Sequence, residues 1–299
     1  MSSERVVVTG SSGTLGHHLL RLFAAHPDME ALALLRAGSR TPQAAGNIRF
    51  ERVDFFATES LRNVIRSFAP TCVIHCAASG TQFPKPDWFD LIRFNVDVSL
   101  AICECLSTVP GCRLVYVGTG LAYRDQGRPL REDDALDTPH PYGASKAAAD
   151  ILIRSAAAEF GVPLTVVRPF SFTGEADEGT RLFPSLLRAA AEGRPMELSP
   201  GDQIRDHCAA EDIAAGIFAA AFPGGKPDPS AVVYNLGSGN IRSLRDLLEG
   251  IVGELGLPAD LRFGARDYAR FEPMCLVADT AKAKQELAWT PRTNLAHAV

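Results

Sequence analysis

Arg5-Val6-Val7-Val8 runs straight into Thr9-Gly10-Ser11-Ser12-Gly13-Thr14-Leu15-Gly16, and residues 17–25 then read as a helix. A short β-branched run of this kind is a buried strand. Strand, glycine-rich turn and helix in this order restrict the fold more than any other stretch, because together they open a βαβ unit. Gly10 permits the tight turn, Gly13 lets backbone approach a pyrophosphate, and Gly16 lets the helix lie against the strand. The helix N-terminus then offers free N–H groups and positive dipole to an anion. The spacing is Gly-x-x-Gly-x-x-Gly, and glycine turns also occur in loops that bind nothing. The strand before and the helix after are what favour a dinucleotide.

The same rhythm continues along the chain. Strands are predicted at 31–35, 48–53, 72–75, 113–118 and 164–168, with helical periodicity at 58–68, 88–106 and after Tyr142. Six strands alternating with helices across 168 residues imply an α/β, Rossmann-type doubly wound parallel sheet. An acid at the end of the second strand would bind the adenine-ribose hydroxyls of NAD. This chain has Arg36 there, with Arg40 close behind and no acid until Glu51. A guanidinium pairs with a 2′-phosphate that a carboxylate would repel. Arg36 therefore favours NADP(H) over NAD(H); a solvated loop arginine is the plainer reading. Asp54 is placed to meet the adenine amino group, and Cys76-Ala77-Ala78 leaves room for a flat ligand beside the backbone. His75, in a strand, reads as packed. Pro84, Lys85 and Pro86 mark a loop.

Tyr142-Gly143-Ala144-Ser145-Lys146 leads into an alanine-rich, helix-forming run, so Tyr142 and Lys146 share one helix face. An ammonium beside a phenol favours the phenolate and lowers a tyrosine pKa that starts at about 10. Only five lysines stand against twenty-five arginines, so a lysine here is not the default cation. An isolated Tyr-x-x-x-Lys is more simply an idle surface pair; the N-terminal turn changes that.

Beyond Pro169 the rhythm breaks. Helices are predicted at 183–192, 213–221, 243–255 and 280–287, and short strands at 196–198, 232–236 and 261–263. Residues 1–168 are thus read as a dinucleotide-binding domain carrying the catalytic helix. Residues 169–299 read as a smaller mixed α/β region, interleaved with the first, that covers the carboxyl ends of the strands and holds substrate. A net charge of −5 leaves no footprint for nucleic acid or an anionic membrane. No apolar run is long enough to span a bilayer and no signal peptide is expected. Seven scattered cysteines suit a reduced, cytoplasmic protein with neither a disulfide framework nor a metal site.

With these residues in hand, the chain resembles the extended short-chain dehydrogenase/reductase family, in its nucleotide-sugar epimerase, dehydratase and 4-ketoreductase branch. The matching stretches include Thr9-Gly10-x-x-Gly13-x-x-Gly16, His75-x-Ala77-Ala78, Asn95-Val96, Thr119 four residues before Tyr123, Tyr142-x-x-x-Lys146 and Arg168-Pro169-Phe170. Arg205-Asp206, Asp212-Ile213, Tyr234-Asn235-Leu236-Gly237 and Trp289-x-Pro291 continue the match almost to the end. The resemblance implies Tyr142 as catalytic acid/base, Lys146 on the nicotinamide ribose and Thr119 on the reacting oxygen. It extends the cofactor contacts to Ser12, Thr14, Leu15, Phe55, Asn95 and Pro169, and the substrate contacts to Arg205 for the pyrophosphate, with Arg181 as a second candidate. Relatives often pair the helices at 88–106 and 141–160 across a twofold axis, so a homodimer is expected.

Departures from the family pattern narrow the chemistry. Dehydratases of the 4,6 type carry an Asp-Glu pair directly after the threonine, where this chain has Gly120 and Leu121. Epimerase-reductases place a cysteine where Ala122 stands. The leading expectation is NADPH-dependent reduction of a nucleotide-activated 4-keto-6-deoxyhexose. The alternatives are an NAD-dependent nucleotide-sugar 4-epimerase, a non-catalytic dinucleotide sensor, and a reductase of lipophilic or phenolic ketones. His207 and Cys208 stand where relatives commonly have aromatic or apolar residues.

Overall fold

Residues 4–43, 45–80, 87–177, 179–223 and 231–299 are described in a computed structural model of the chain. Pro84, Lys85 and Pro86 lie outside them. In chain order the elements that build the site are β1 (Arg5–Thr9), α1 (Thr14–Ala24), β2 (Glu30–Leu35), β3 (Ile48–Arg52), α2 (Thr58–Phe68), β4 (Cys72–His75), α3 (Trp88–Ile92), α4 (Val98–Leu106), β5 (Arg113–Val117), α5 (Pro141–Phe160) and β6 (Leu164–Pro169). There follow β7 (Ser171–Thr173), α6 (Leu182–Ala191), β8 (Pro195–Leu198), β9 (Ile204–Arg205), β10 (His207–Ala209), α7 (Ala210–Ala221) and β11 (Val232–Leu236).

Val6, Val7 and Val8 are fully buried, as a strand covered on both faces requires. β1 stands fifth in a seven-stranded sheet of order β11-β6-β5-β4-β1-β2-β3, every pair parallel. Helices α1 and α7 pack on one face, and α2, α4 and α5 on the other. Full burial of each Val, Leu, Ile or Phe on these faces contributes roughly 1.5–3 kcal/mol. The order reverses between β1 and β4, and a crevice at such a switch point is where ligands enter this kind of sheet.

Two expectations are corrected. The sheet has seven parallel strands, because Val232–Leu236, assigned from sequence to the second region, pairs with β6 and closes that edge. The helix expected over 88–106 is interrupted by a π-helical turn at Arg93–Asp97, of a kind frequent at functional sites. That turn carries Asn95.

Candidate active site

One cavity of about 750 Å3 runs across the carboxyl ends of the strands. The glycine turn forms its floor, with Gly10, Ser12, Gly13, Thr14, Leu15 and Gly16 all on the wall. A Cβ at Gly16 would lie 2.2 Å from the Gly10 carbonyl oxygen, and one at Gly10 would lie 2.7 Å from the Ala77 nitrogen, with φ at +71°. Both glycines are therefore forced by backbone contact. Gly13 would meet nothing closer than 3.4 Å, so close approach from the ligand side is the reason left for a glycine there. Gly13 caps α1 with no side-chain hydrogen bond and the first turn holds no acid, so the positive helix end is available to an anion. These residues fit a dinucleotide pyrophosphate. Arg36, Ser39, Arg40, Phe55 and Phe94 line the β2 end, and Ala77 and Ala78 follow β4.

At the ends of β5 and β6 the wall holds Thr119, Tyr142 and Pro169. Three local features place Tyr142. Pro141 starts α5 at a position that needs no N–H. Gly143 has no room for a side chain, since a Cβ would come within 2.2 Å of the Leu121 carbonyl oxygen, so the first turn of α5 lies directly against the Thr119 loop. Ser145 then donates to the Tyr142 carbonyl at 2.8 Å. The Thr119 hydroxyl oxygen accepts the Leu121 N–H at 3.2 Å, which leaves its own hydrogen free to donate.

Lys146 is buried behind this wall, 1% exposed, and its Nζ has no hydrogen-bond partner among the described residues. The ammonium position lies 4.2 Å from the Tyr116 ring centroid, a cation–π distance. Burial draws the Lys146 pKa down to about 7, against opposing pulls from Cys76 and Asp150. Burial likewise pushes the Tyr142 phenol up to about 12, and the charge acting against that rise is Arg181. Lys146 is not among the charges acting on the phenol, so in place of the expected lowering by Lys146 the phenol is raised by desolvation.

A stability prediction follows from the buried amine. The free lysine titrates near 10.5 and the folded one near 7. Between those values the unfolded chain binds the extra proton, so stability climbs with pH; below about 7 the burial penalty is carried in full. Lys146→Met should lose that slope and unfold at higher urea concentration than the parent at pH 6.5. Equal pH slopes in the two proteins would refute this account.

Hydrogen bonds hold the wall in place. Asn95 accepts the Ser79 N–H at 2.8 Å and donates to the Ser79 carbonyl and the Ser145 hydroxyl, both at 2.9 Å. It ties the β4 loop to α5 at Ser145, the residue before Lys146. Thr9 accepts the Ala77 N–H at 3.2 Å and lies 2.7 Å from His75 Nδ1. Ser99 donates to the Asn95 carbonyl at 2.7 Å and lies 2.9 Å from His75 Nε2. Both hydroxyls are thereby assigned: Thr9 donates to Nδ1, and Nε2–H donates to Ser99. Burial draws the His75 pKa down to about 3, so the ring is neutral.

Not every residue nominated from sequence reaches the cavity. Asp54 is exposed and its carboxylate accepts the Phe56 N–H at 2.9 Å, capping a turn; its neighbour Phe55 is on the wall. Asn95 is fully buried and acts behind the wall. Arg205 is ion-paired with Glu272, donates to the Ile204 carbonyl, and is not among the lining residues, whereas Arg181 is. The pairing with Glu272 was invisible in sequence because the two residues lie 67 positions apart. Phe94, Ser171, Phe183 and His207 line the cavity without having been nominated. His207 packs edge-on against Phe183 at 5.4 Å, and its buried Nδ1 has no partner among the described residues. The departure from an aromatic residue at that place was the available signal.

A parallel Rossmann sheet, a glycine turn at its switch point and a Thr–Tyr–Lys set beside it define the extended short-chain dehydrogenase/reductase class. Within that class, the chain belongs to the NAD dependent epimerase/dehydratase family, whose model matches residues 6–237. The chain is 29% identical to a UDP-glucose 4-epimerase of Streptomyces lividans, with 98% of this chain and 94% of that protein aligned. It is 27% identical to a UDP-glucuronate 4-epimerase of Thermodesulfobacterium geofontis, over 83% and 76% of the two chains. A solved UDP-glucuronic acid 4-epimerase from Bacillus cereus, in complex with UDP-glucuronic acid and NAD, shares the fold with a TM-score of 0.87 at 21% identity, covering 98% and 96%. These likenesses lend no support to the expected preference for NADP(H). No helix of the described residues is long and apolar enough to cross a membrane.

Proposed function

We propose that this protein is an NAD-dependent 4-epimerase of a UDP-linked sugar. This reading replaces keto-sugar reduction as the leading one, because the relatives it resembles are named as 4-epimerases acting on UDP-sugars. The observation that carries it is the single continuous cavity, in which the glycine turn, Thr119 with Tyr142, and Arg181 with His207 share one wall. Dehydration is disfavoured by Gly120, where a Cβ would lie 2.9 Å from the Phe170 ring and leave no place for an aspartate. When bound, NAD would supply the hydride acceptor for C4 of the sugar and the hydride for the opposite face of the resulting ketone. Tyr142 would remove and return the proton of the reacting hydroxyl, Thr119 would donate to the same oxygen, and Arg181 would favour the phenolate. Residues 169–299 would mainly hold the nucleotide sugar.

A second reading, reduction of a keto-sugar by NADPH, is favoured by Arg36 and Arg40 on the β2 end of the wall. One experiment separates the two. The purified protein is examined for retained cofactor, titrated with NADH and NADPH, and assayed for interconversion of UDP-glucose with UDP-galactose and of UDP-glucuronate with its 4-epimer. The expected result is retained NAD(H) and interconversion of one of these pairs. No retained cofactor, clear preference for NADPH and no interconversion would overturn the epimerase reading.

A homodimer is proposed from the exposed apolar side chains of two neighbouring helices. Trp88, Phe89 and Ile92 on α3 are 53%, 83% and 46% exposed, and Ile151 and Leu152 on α5 are 50% and 44% exposed. Light scattering should give the mass of two chains; the mass of one would count against it.

A further inference from the structure

The turn after β7 touches both ends of the cavity. The Asp177 side chain is 5% exposed and is bonded from three sides. Its Oδ1 accepts from Arg181 Nη1 at 2.7 Å and from the Thr14 hydroxyl at 3.3 Å, and its Oδ2 accepts from the Thr173 hydroxyl at 3.0 Å. The one Thr14 hydroxyl hydrogen is shared between Asp177 Oδ1 and the Ala176 carbonyl, each at 3.3 Å, so the same turn accepts it either way. Thr14 is the first residue of α1, at the helix end suited to a pyrophosphate. Arg181 stands on the cavity wall near Tyr142 and is held further by the Phe172 carbonyl at 3.2 Å. The turn closes through the Asp177 N–H on the Gly174 carbonyl at 3.0 Å. It holds Ala176 at φ +66°, a left-handed conformation that disfavours a non-glycine residue. Glu175 anchors its outer side to Arg21 at 2.5 Å.

We propose that Asp177 is a positioning residue that couples the cofactor end of the cavity to its substrate end. One carboxylate holds the loop that meets the cofactor and the guanidinium that faces the substrate. Because one turn positions both groups, a ligand that holds it at one end leaves it already placed for the ligand at the other. By linkage, NADH must tighten the nucleotide by the same factor as the nucleotide tightens NADH. No other pair of contacts among the described residues links Thr14 to Arg181 through a single side chain. This inference rests on the nucleotide-sugar reading for its substrate arm and not for its cofactor arm.

The test is calorimetry of UDP with and without saturating NADH, and of NADH with and without saturating UDP, on cofactor-stripped parent and Asp177→Asn. In the parent each ligand is expected to tighten the other about tenfold, a coupling within the usual range. In Asp177→Asn the coupling should fall below about twofold, and NADH alone should bind about tenfold more weakly. Unchanged coupling, even with a lowered melting temperature, would overturn the proposal, because a merely structural role moves stability and not the coupling factor. If the parent binds NADH but no UDP at all, the nucleotide-sugar reading fails by itself. Asp177 is then decided by NADH alone, and unchanged NADH affinity in Asp177→Asn overturns it. Should Asp177→Asn not fold, Thr14→Val removes only one branch. Its coupling should fall while UDP affinity without NADH stays as in the parent; parent-like coupling overturns the proposal.

Discussion

Tyr142→Phe is expected to lower kcat about 10²–10⁴-fold, the range for loss of a positioned general acid/base. Cofactor affinity should stay within about twofold, because the ring, the helix and the glycine turn are untouched. The hydroxyl is the single group removed, and the phenol sits on the cavity wall with the Thr119 hydroxyl on the same wall. Steady-state turnover of the best UDP-sugar, with cofactor binding measured on the same sample, checks both halves. Phenylalanine that turns over as fast as tyrosine would remove Tyr142 from the mechanism. Parent and variant alike bound to cofactor but inert toward every sugar nucleotide would instead favour a dinucleotide sensor.

The largest stability effect is expected about two turns further along α5. Asp150 and Arg168 are an ion pair with side chains 1% and 2% exposed, joined at 2.8 Å. Arg168 also donates to the Tyr123 hydroxyl at 2.6 Å and the Glu132 carbonyl at 3.0 Å, and Tyr123 donates to Asn235 at 2.7 Å. Asp150→Ala would leave the guanidinium buried without its counter-charge, a loss of about 3–5 kcal/mol. Urea unfolding should show this as a strongly lowered midpoint. Arg154→Ala, which removes the partly exposed partner of the same carboxylate, should change stability by no more than about 1 kcal/mol. Asp150→Ala combined with Arg168→Met should recover much of the loss, since an apolar pair needs no compensation. Asp150→Ala as stable as the parent would refute the assignment of this pair as the clamp between α5 and β6.

The sequence by itself determined the parts whose causes are local. β-branched runs at one-residue burial, glycines at a turn and an alanine-rich helix are written in neighbouring residues, so the parallel sheet, the nucleotide turn and the Tyr142 helix were legible. So were the cavity places of Gly10, Gly13, Gly16, Arg36, Ala77, Thr119, Tyr142 and Arg181. Tertiary structure alone decided what depends on distant partners. Arg205 turned to Glu272 rather than to the cavity, Asn95 became a brace for Ser79 and Ser145, and Val232–Leu236 completed the central sheet. The proton balance of Tyr142 and Lys146 also belongs there. Helical spacing places a lysine beside a tyrosine, but desolvation is set by everything packed around them, and here it draws the amine down to about 7 and pushes the phenol up to about 12.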